Sequence, residues 1–229
     1  MINAHALLRS TLIGVCATVV VVLSDIPEAA FAQACPTEQA GWHGFVVERG
    51  GQQKTSVFHD GDGIVRTVMR YNGATLLETT QYAGLFQLDR LDQGRRTKFD
   101  PQTDLKSLLP LKPGQTARAK FTSESEGRNG VLQVEMTVKG DEDLYIGACK
   151  FSVLKIERSE SRSADPPRFV YTDYYSPMLK LILSRQYPES NGRAEIIKFD
   201  RVYAVKRRLF IGGASVKLHG RFRYRQLGG

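Results

Sequence analysis

Between residues 131 and 138 the chain alternates strictly. Leu132, Val134, Met136 and Val138 face one way, and Gln133, Glu135 and Thr137 face the other. A period of two is that of a half-buried strand. Similar runs cover 43–48, 56–59, 64–71, 75–82, 85–91 and 117–122, and later 145–157, 168–175, 179–187 and 194–205. Turn-forming residues separate them: Gly50-Gly51, Asp60-Gly61-Asp62-Gly63, Asn72-Gly73, Asn129-Gly130 and Asn191-Gly192. Asn-Gly tolerates the two positive φ angles of a two-residue hairpin, so each Asn-Gly pair predicts one. Only residues 100–110 break the rhythm. They read equally as an irregular loop or as a short helix capped by Thr103 or Asp104 and ended by Pro110 and Pro113.

About ten short strands in roughly 170 residues predict a mainly β fold. The form expected is a curved antiparallel sheet, a half-open barrel or a sandwich, with at most one or two short helices. Long amphipathic helices are missing from the sequence, which argues against a doubly wound α/β fold.

The first 32 residues follow a different pattern. His5 and Arg9 precede an uncharged run from Thr11 to Leu23, and Ala30-Phe31-Ala32 follows Asp25 and Pro27. This is the layout of an export signal expected to be cleaved after Ala32, with an uncleaved anchor as the alternative, which the shortness of the run and Pro27 disfavour. The expected division is a signal at 1–32, an antiparallel β domain at 33–205 and a basic tail at 206–229. The expected location is the periplasm or beyond.

Cys16 leaves with the signal, so Cys35 and Cys149 are the cysteines of the mature chain. In an oxidising compartment they are expected to pair. Two rivals stay open. Cys35 follows Ala32-Gln33-Ala34, so it could carry a lipid, although a lipobox wants Leu where Ala32 stands. Either thiol could be reactive, but no neighbouring motif supplies a histidine to stabilise a thiolate.

The net charge of +8 is unevenly spread. Residues 33–205 hold 24 basic and 22 acidic residues. The tail holds Lys206, Arg207, Arg208, Lys217, Arg221, Arg223 and Arg225 and no acid. Val216, Leu218, Phe222 and Tyr224 interleave with these cations. The tail therefore reads either as a strand with one cationic face for anionic surfaces or as an unstructured extension. Export makes nucleic acid a poor candidate partner.

Motifs for chemistry are scarce. His43, His59 and His219 show no metal-ligand spacing, and Asp60-Gly61-Asp62-Gly63 lacks the downstream ligands of a calcium loop. No metal and no cofactor is expected. G-x-S-x-G and phosphate-cradling motifs are absent, so no catalytic residue is assigned. The aromatic inventory is richer. Tyr171, Tyr174, Tyr175, Tyr187 and Tyr203, with Trp42, Phe169 and Phe199, could form an aromatic surface for an apolar or glycan ligand, or could fill the core and its rim.

The segment from Tyr171 to Leu183, with Tyr174-Tyr175-Ser176-Pro177-Met178-Leu179 at its centre, resembles the W/Y-Y-S/A-P-E-L segment of exported bacterial proteins of the DUF3108 type. Met178 stands where that family has an acid. The resemblance implies a strand, a Ser-Pro turn and a second strand within a curved sheet shaped like lipoprotein-carrier half-barrels. It brings no catalytic residues. Three functions follow as expectations: a non-enzymatic exported domain binding an envelope lipid, glycan or protein; a hydrolase of an envelope polymer or ester; or an assembly factor whose tail touches anionic surfaces.

Overall fold

A computed structural model describes residues 34–162, 169–188 and 194–205, with the backbone alone of 208–211 and 214–217. It opens with a short helix α1 (Ala40–His43), just ahead of the predicted strand run 43–48, from which it takes only His43. Strand β1 (Phe45–Arg49) follows. Then come β2 (Gln53–Gly61), β3 (Ile64–Tyr71), β4 (Ala74–Tyr82), β5 (Phe86–Asp92) and β6 (Arg95–Pro101). After a single 3-10 turn (Lys106–Leu108) the chain forms β7 (Thr116–Ser125), β8 (Arg128–Ile146), β9 (Cys149–Ser161), β10 (Phe169–Ser176) and β11 (Leu181–Tyr187). The expected final strand divides into β12 (Glu195–Lys198) and β13 (Arg201–Ala204). In the tail, β14 (Arg208–Ile211) and β15 (Ala214–Lys217) pair with each other as a separate two-stranded sheet.

Strands β1 to β12 lie side by side in chain order, each antiparallel to the next, and β13 pairs with the free side of β1. The result is an unclosed antiparallel sheet of 13 strands. Its curvature follows from one connection. Strands β12 and β13 are the two edges, yet only Phe199 and Asp200 join them. A flat sheet this broad would span on the order of 58 Å at about 4.8 Å per strand. Two linking residues reach about 11 Å. The sheet must therefore curl until its edges approach at this corner. There the Asp200 amide donates to the Glu48 carbonyl at 2.8 Å, and the Asp200 carboxylate accepts from the Gly50 amide at 2.5 Å.

Burial selects the register of the β7–β8 hairpin. Its turn is Glu126-Gly127, with φ of 52° and 74°, and not the expected Asn129-Gly130, which lies inside β8. The observed register sets Ala117, Ala119 and Phe121 opposite Met136, Val134 and Leu132, all buried. Closing the turn at Asn129-Gly130 would set Gly140 opposite Ala119 and Glu142 opposite Ala117, and would lose the shared apolar face. Asn72-Gly73 does close the β3–β4 hairpin as expected. Asn191-Gly192 lies outside the described residues.

Two apolar clusters fill the interior. One gathers Phe86, Phe121, Val134, Met136, Val138 and Ile156 from β5 and β7–β9. The other gathers Phe45, Val47, Val57, Phe151, Leu183 and Val202 from both ends of the strand order, as the curl requires. Cys149 lies in that second cluster and is bridged to Cys35. A bridge across 114 residues stabilises by about 4–5 kcal/mol through chain entropy. The bridge and a lipid anchor compete for one sulfur, because a Cys35 in a disulfide has no thiol to alkylate.

The 177–180 turn between β10 and β11 is clamped from two sides. The Tyr175 hydroxyl donates to the Ala83 carbonyl at 2.7 Å, and Gly84 packs so closely that a Cβ there would lie 1.7 Å from the Lys180 carbonyl oxygen. On the other side, His59 Nε2 lies 2.9 Å from the Leu179 carbonyl oxygen. An N–H must fill that gap, so Nε2 carries the proton.

Candidate functional site

Strands β9, β10 and β11 carry charged and aromatic side chains on a common face. Arg158 continues the Leu154, Ile156 phase of β9 and pairs across with Tyr171, while Asp173 pairs with Arg185. Tyr171, Asp173 and Tyr175 alternate along β10 and are all buried. Alternation thus delivers two arginines and two acids to a largely dry interior.

Each charge is partnered. Arg185 grips Asp173 with two parallel bonds, Nε to Oδ1 at 2.6 Å and Nη2 to Oδ2 at 3.1 Å. Its guanidinium lies 4.1 Å from the centre of the Tyr171 ring, and Nη1 donates to the Tyr187 hydroxyl at 3.4 Å. Arg158 donates through Nε to Glu160 at 2.9 Å and through Nη1 to the Leu85 carbonyl at 2.8 Å. It also stands 3.9 Å from Asp173. The rings of Tyr171 and Tyr187 are 5.4 Å apart. Asp173 is wholly enclosed, whereas Glu160 and Arg185 keep 24% and 27% of their side chains in solvent, so one end of the cluster is a rim.

Burial and pairing shift Glu160, Arg185 and the two buried tyrosines away from neutrality. Burial alone would raise the Glu160 pKa, but the Arg158 charge and a hydrogen bond from Tyr171 hold it below the usual carboxylate value. Burial opposes the Arg185 charge, yet the Asp173 carboxylate more than offsets this and raises its pKa. Burial also pushes the Tyr171 and Tyr175 hydroxyls well above their ordinary pKa. These groups hold hydrogen bonds and charge, and none is tuned to exchange a proton near neutrality.

The other aromatic candidates are placed separately. Tyr175 is buried in the first apolar cluster. Tyr174 donates to Gln186 Oε1 at 3.2 Å and faces the Lys155 ammonium. The Tyr203 hydroxyl donates to Glu48 at 2.7 Å on the β1–β13 side, where burial and that contact push it up to about 12. Trp42 stands 65% exposed on α1. Phe169, 62% exposed, opens β10 opposite Glu160 and so flanks the rim. The residues thus brought together are Tyr171, Tyr187, Phe169 and the charged four.

No protein-family model matches the chain, and no curated protein does so either. Three solved structures show a loose likeness of shape. The hypothetical lipoprotein YmcC from Escherichia coli covers 68% of this chain and 86% of its own at 10% identity, with a TM-score of 0.42. A Bacteroides fragilis protein, described as exported and of YmcC-like fold, covers 69% and 92% at 12% identity and a TM-score of 0.34. A Parabacteroides distasonis protein, described as a lipoprotein, covers 74% and 100% at 8% identity and a TM-score of 0.36. The DUF3108 resemblance has no family match behind it, although the segment does form a strand, a Ser-Pro turn and a strand.

The remaining candidates divide between places. Among the described residues, no group of three or more His, Cys, Asp or Glu is arranged to hold a metal, and no helix is long and apolar enough to cross a membrane. His59 is engaged with Leu179, and His43 ends α1. The side chains of Lys206, Arg207, Arg208, Lys217, Arg221, Arg223 and Arg225 lie outside the described residues, as does the signal segment.

Proposed function

We propose that this chain is an exported, non-enzymatic β domain that binds a component of the bacterial envelope at the β9–β11 rim. The observation that carries this reading is the Arg158–Glu160 and Arg185–Asp173 cluster beside Tyr171 and Tyr187. A buried ion-pair network is a poor source of stability, since apolar residues of similar volume serve as well or better. Its use is better sought at the rim, where Arg185 and Tyr187 offer donors and a ring to a ligand, with Phe169 beside them. These shifts away from neutrality favour binding over acid–base chemistry. The Cys35–Cys149 bridge suits an oxidising compartment, in keeping with the signal-like N-terminus.

Native mass spectrometry of the mature protein purified from a bacterial periplasm tests this reading. A co-purifying lipid, glycan or protein is expected, and it should be lost from Arg185→Met and weakened in the milder Tyr187→Phe. Wild-type protein free of any bound species would overturn the reading, as would retention of that species by both folded variants. The segregation of seven cations in 206–229 supports a second role, in which the tail rests on anionic head groups.

A further inference from the structure

The opposite face of β9 carries a second feature. Ser159 and Ser161 alternate with Arg158 and Glu160, so they face away from the charged cluster. Register sets them at the ends of two cross-strand rows, Lys120–Gln133–Ser161 and Arg118–Glu135–Ser159. Long side chains on β7 and β8 beside serines on β9 leave an open trough of about 310 Å³. The main chain at Ala119 and Val134 forms its floor, while their side chains turn into the first apolar cluster on the other face. Thr103 closes the β7 side, its hydroxyl accepting from the Lys120 amide at 3.1 Å.

We infer that this trough binds an anionic saccharide. The Arg118 guanidinium is paired with Glu135 at 2.7 Å, whereas the exposed Lys120 has no carboxylate within salt-bridge reach among the described residues. Lys120 is therefore the cation left to meet an acidic group. Around it, the Gln133 amide and the Ser159 hydroxyl lie on two rows about 7 Å apart along strands about 4.8 Å apart, with the Thr103 hydroxyl at the side. That spread exceeds a single inorganic anion and suits a ring bearing several hydroxyls. The trough does not depend on the β9–β11 rim, so either site can fail without the other.

Isothermal titration calorimetry with trigalacturonate, maltotriose and inorganic phosphate tests the inference. Trigalacturonate should bind at least about tenfold more tightly than maltotriose. Lys120→Gln should erase that difference while unfolding at the same temperature, and Arg128→Gln, at the distant hairpin tip, should leave it intact. The inference is overturned if trigalacturonate fails to bind, or if the two sugars bind alike. It is equally overturned if the difference survives Lys120→Gln, or if phosphate alone binds as tightly as trigalacturonate.

Discussion

The ring of His59 is wedged between Gly41, Phe45 and the Leu179 carbonyl. A Cβ on Gly41 would lie 2.0 Å from Nδ1, and the Phe45 ring meets it edge-on at 6.1 Å. Burial lowers its pKa below the ordinary 6.5, and Lys180 adds to this, outweighing the Leu179 hydrogen bond and the acids Asp60 and Glu38. The unfolded chain thus takes up this proton at higher pH than the folded one does. Stability is therefore full above 6.5, declines as the pH falls below it, and levels off once the folded ring is also charged. Glu48, Asp89 and Glu160, all with lowered pKa, contribute stability that is lost only further into acid. Urea unfolding between about pH 7 and about pH 5.5 should show the decline. His59→Gln, which can still donate to Leu179, should flatten it; an equal slope in the variant would refute the assignment. In the sequence His59 shows no metal-ligand spacing and merely precedes a turn. Its real partner, a main-chain carbonyl 120 positions away, leaves no trace in local pattern.

Among elements, alternation locates most strands and misses those whose inner face is short. Strand β6 lies mid-sheet, yet Arg95, Arg96, Lys98 and Asp100 are exposed and only Phe99 packs into a core. Its inner face offers only the half-buried Thr97 and Phe99, too short an alternation to read as a strand. The β7–β8 turn is missed for another reason: Asn-Gly is the stronger local signal, but tertiary burial outvotes it. Gly127 therefore holds the left-handed conformation, and Gly130 sits in a strand with only the movable Ser123 hydroxyl near a would-be Cβ. Gly127→Ala should cost at least about 1 kcal/mol in urea titrations. Gly130→Ala should cost less, and the reverse order would mean the turn lies at Asn129-Gly130.

For the whole molecule, composition and pattern anticipate a mainly β chain with one bridge, while the charged cluster stays hidden. Asp173 and Arg185 look like solvent-facing residues until register shows them in phase with buried Tyr171 and Tyr175. The phase of Arg158 with Leu154 and Ile156 was the available clue. The main sheet ends at Ala204, so truncation after Lys206 removes six cations and none of its strands. Folding should be unchanged by circular dichroism. Sedimentation with vesicles rich in anionic lipid should fall steeply, at about 1 kcal/mol per cation near the surface. Unchanged association would count against the tail's proposed role.

The pairing of β1 with β13 also imposes an order of events. Every other neighbour in the main sheet is the next strand in the chain, so those ladders can form as successive hairpins. Strand β1 cannot complete its hydrogen bonding until residues 201–204 have left the ribosome. The nascent chain therefore carries a bare β-edge near its N-terminal end for almost the whole of its synthesis. The last strand to arrive is the one that retires this hazard for aggregation.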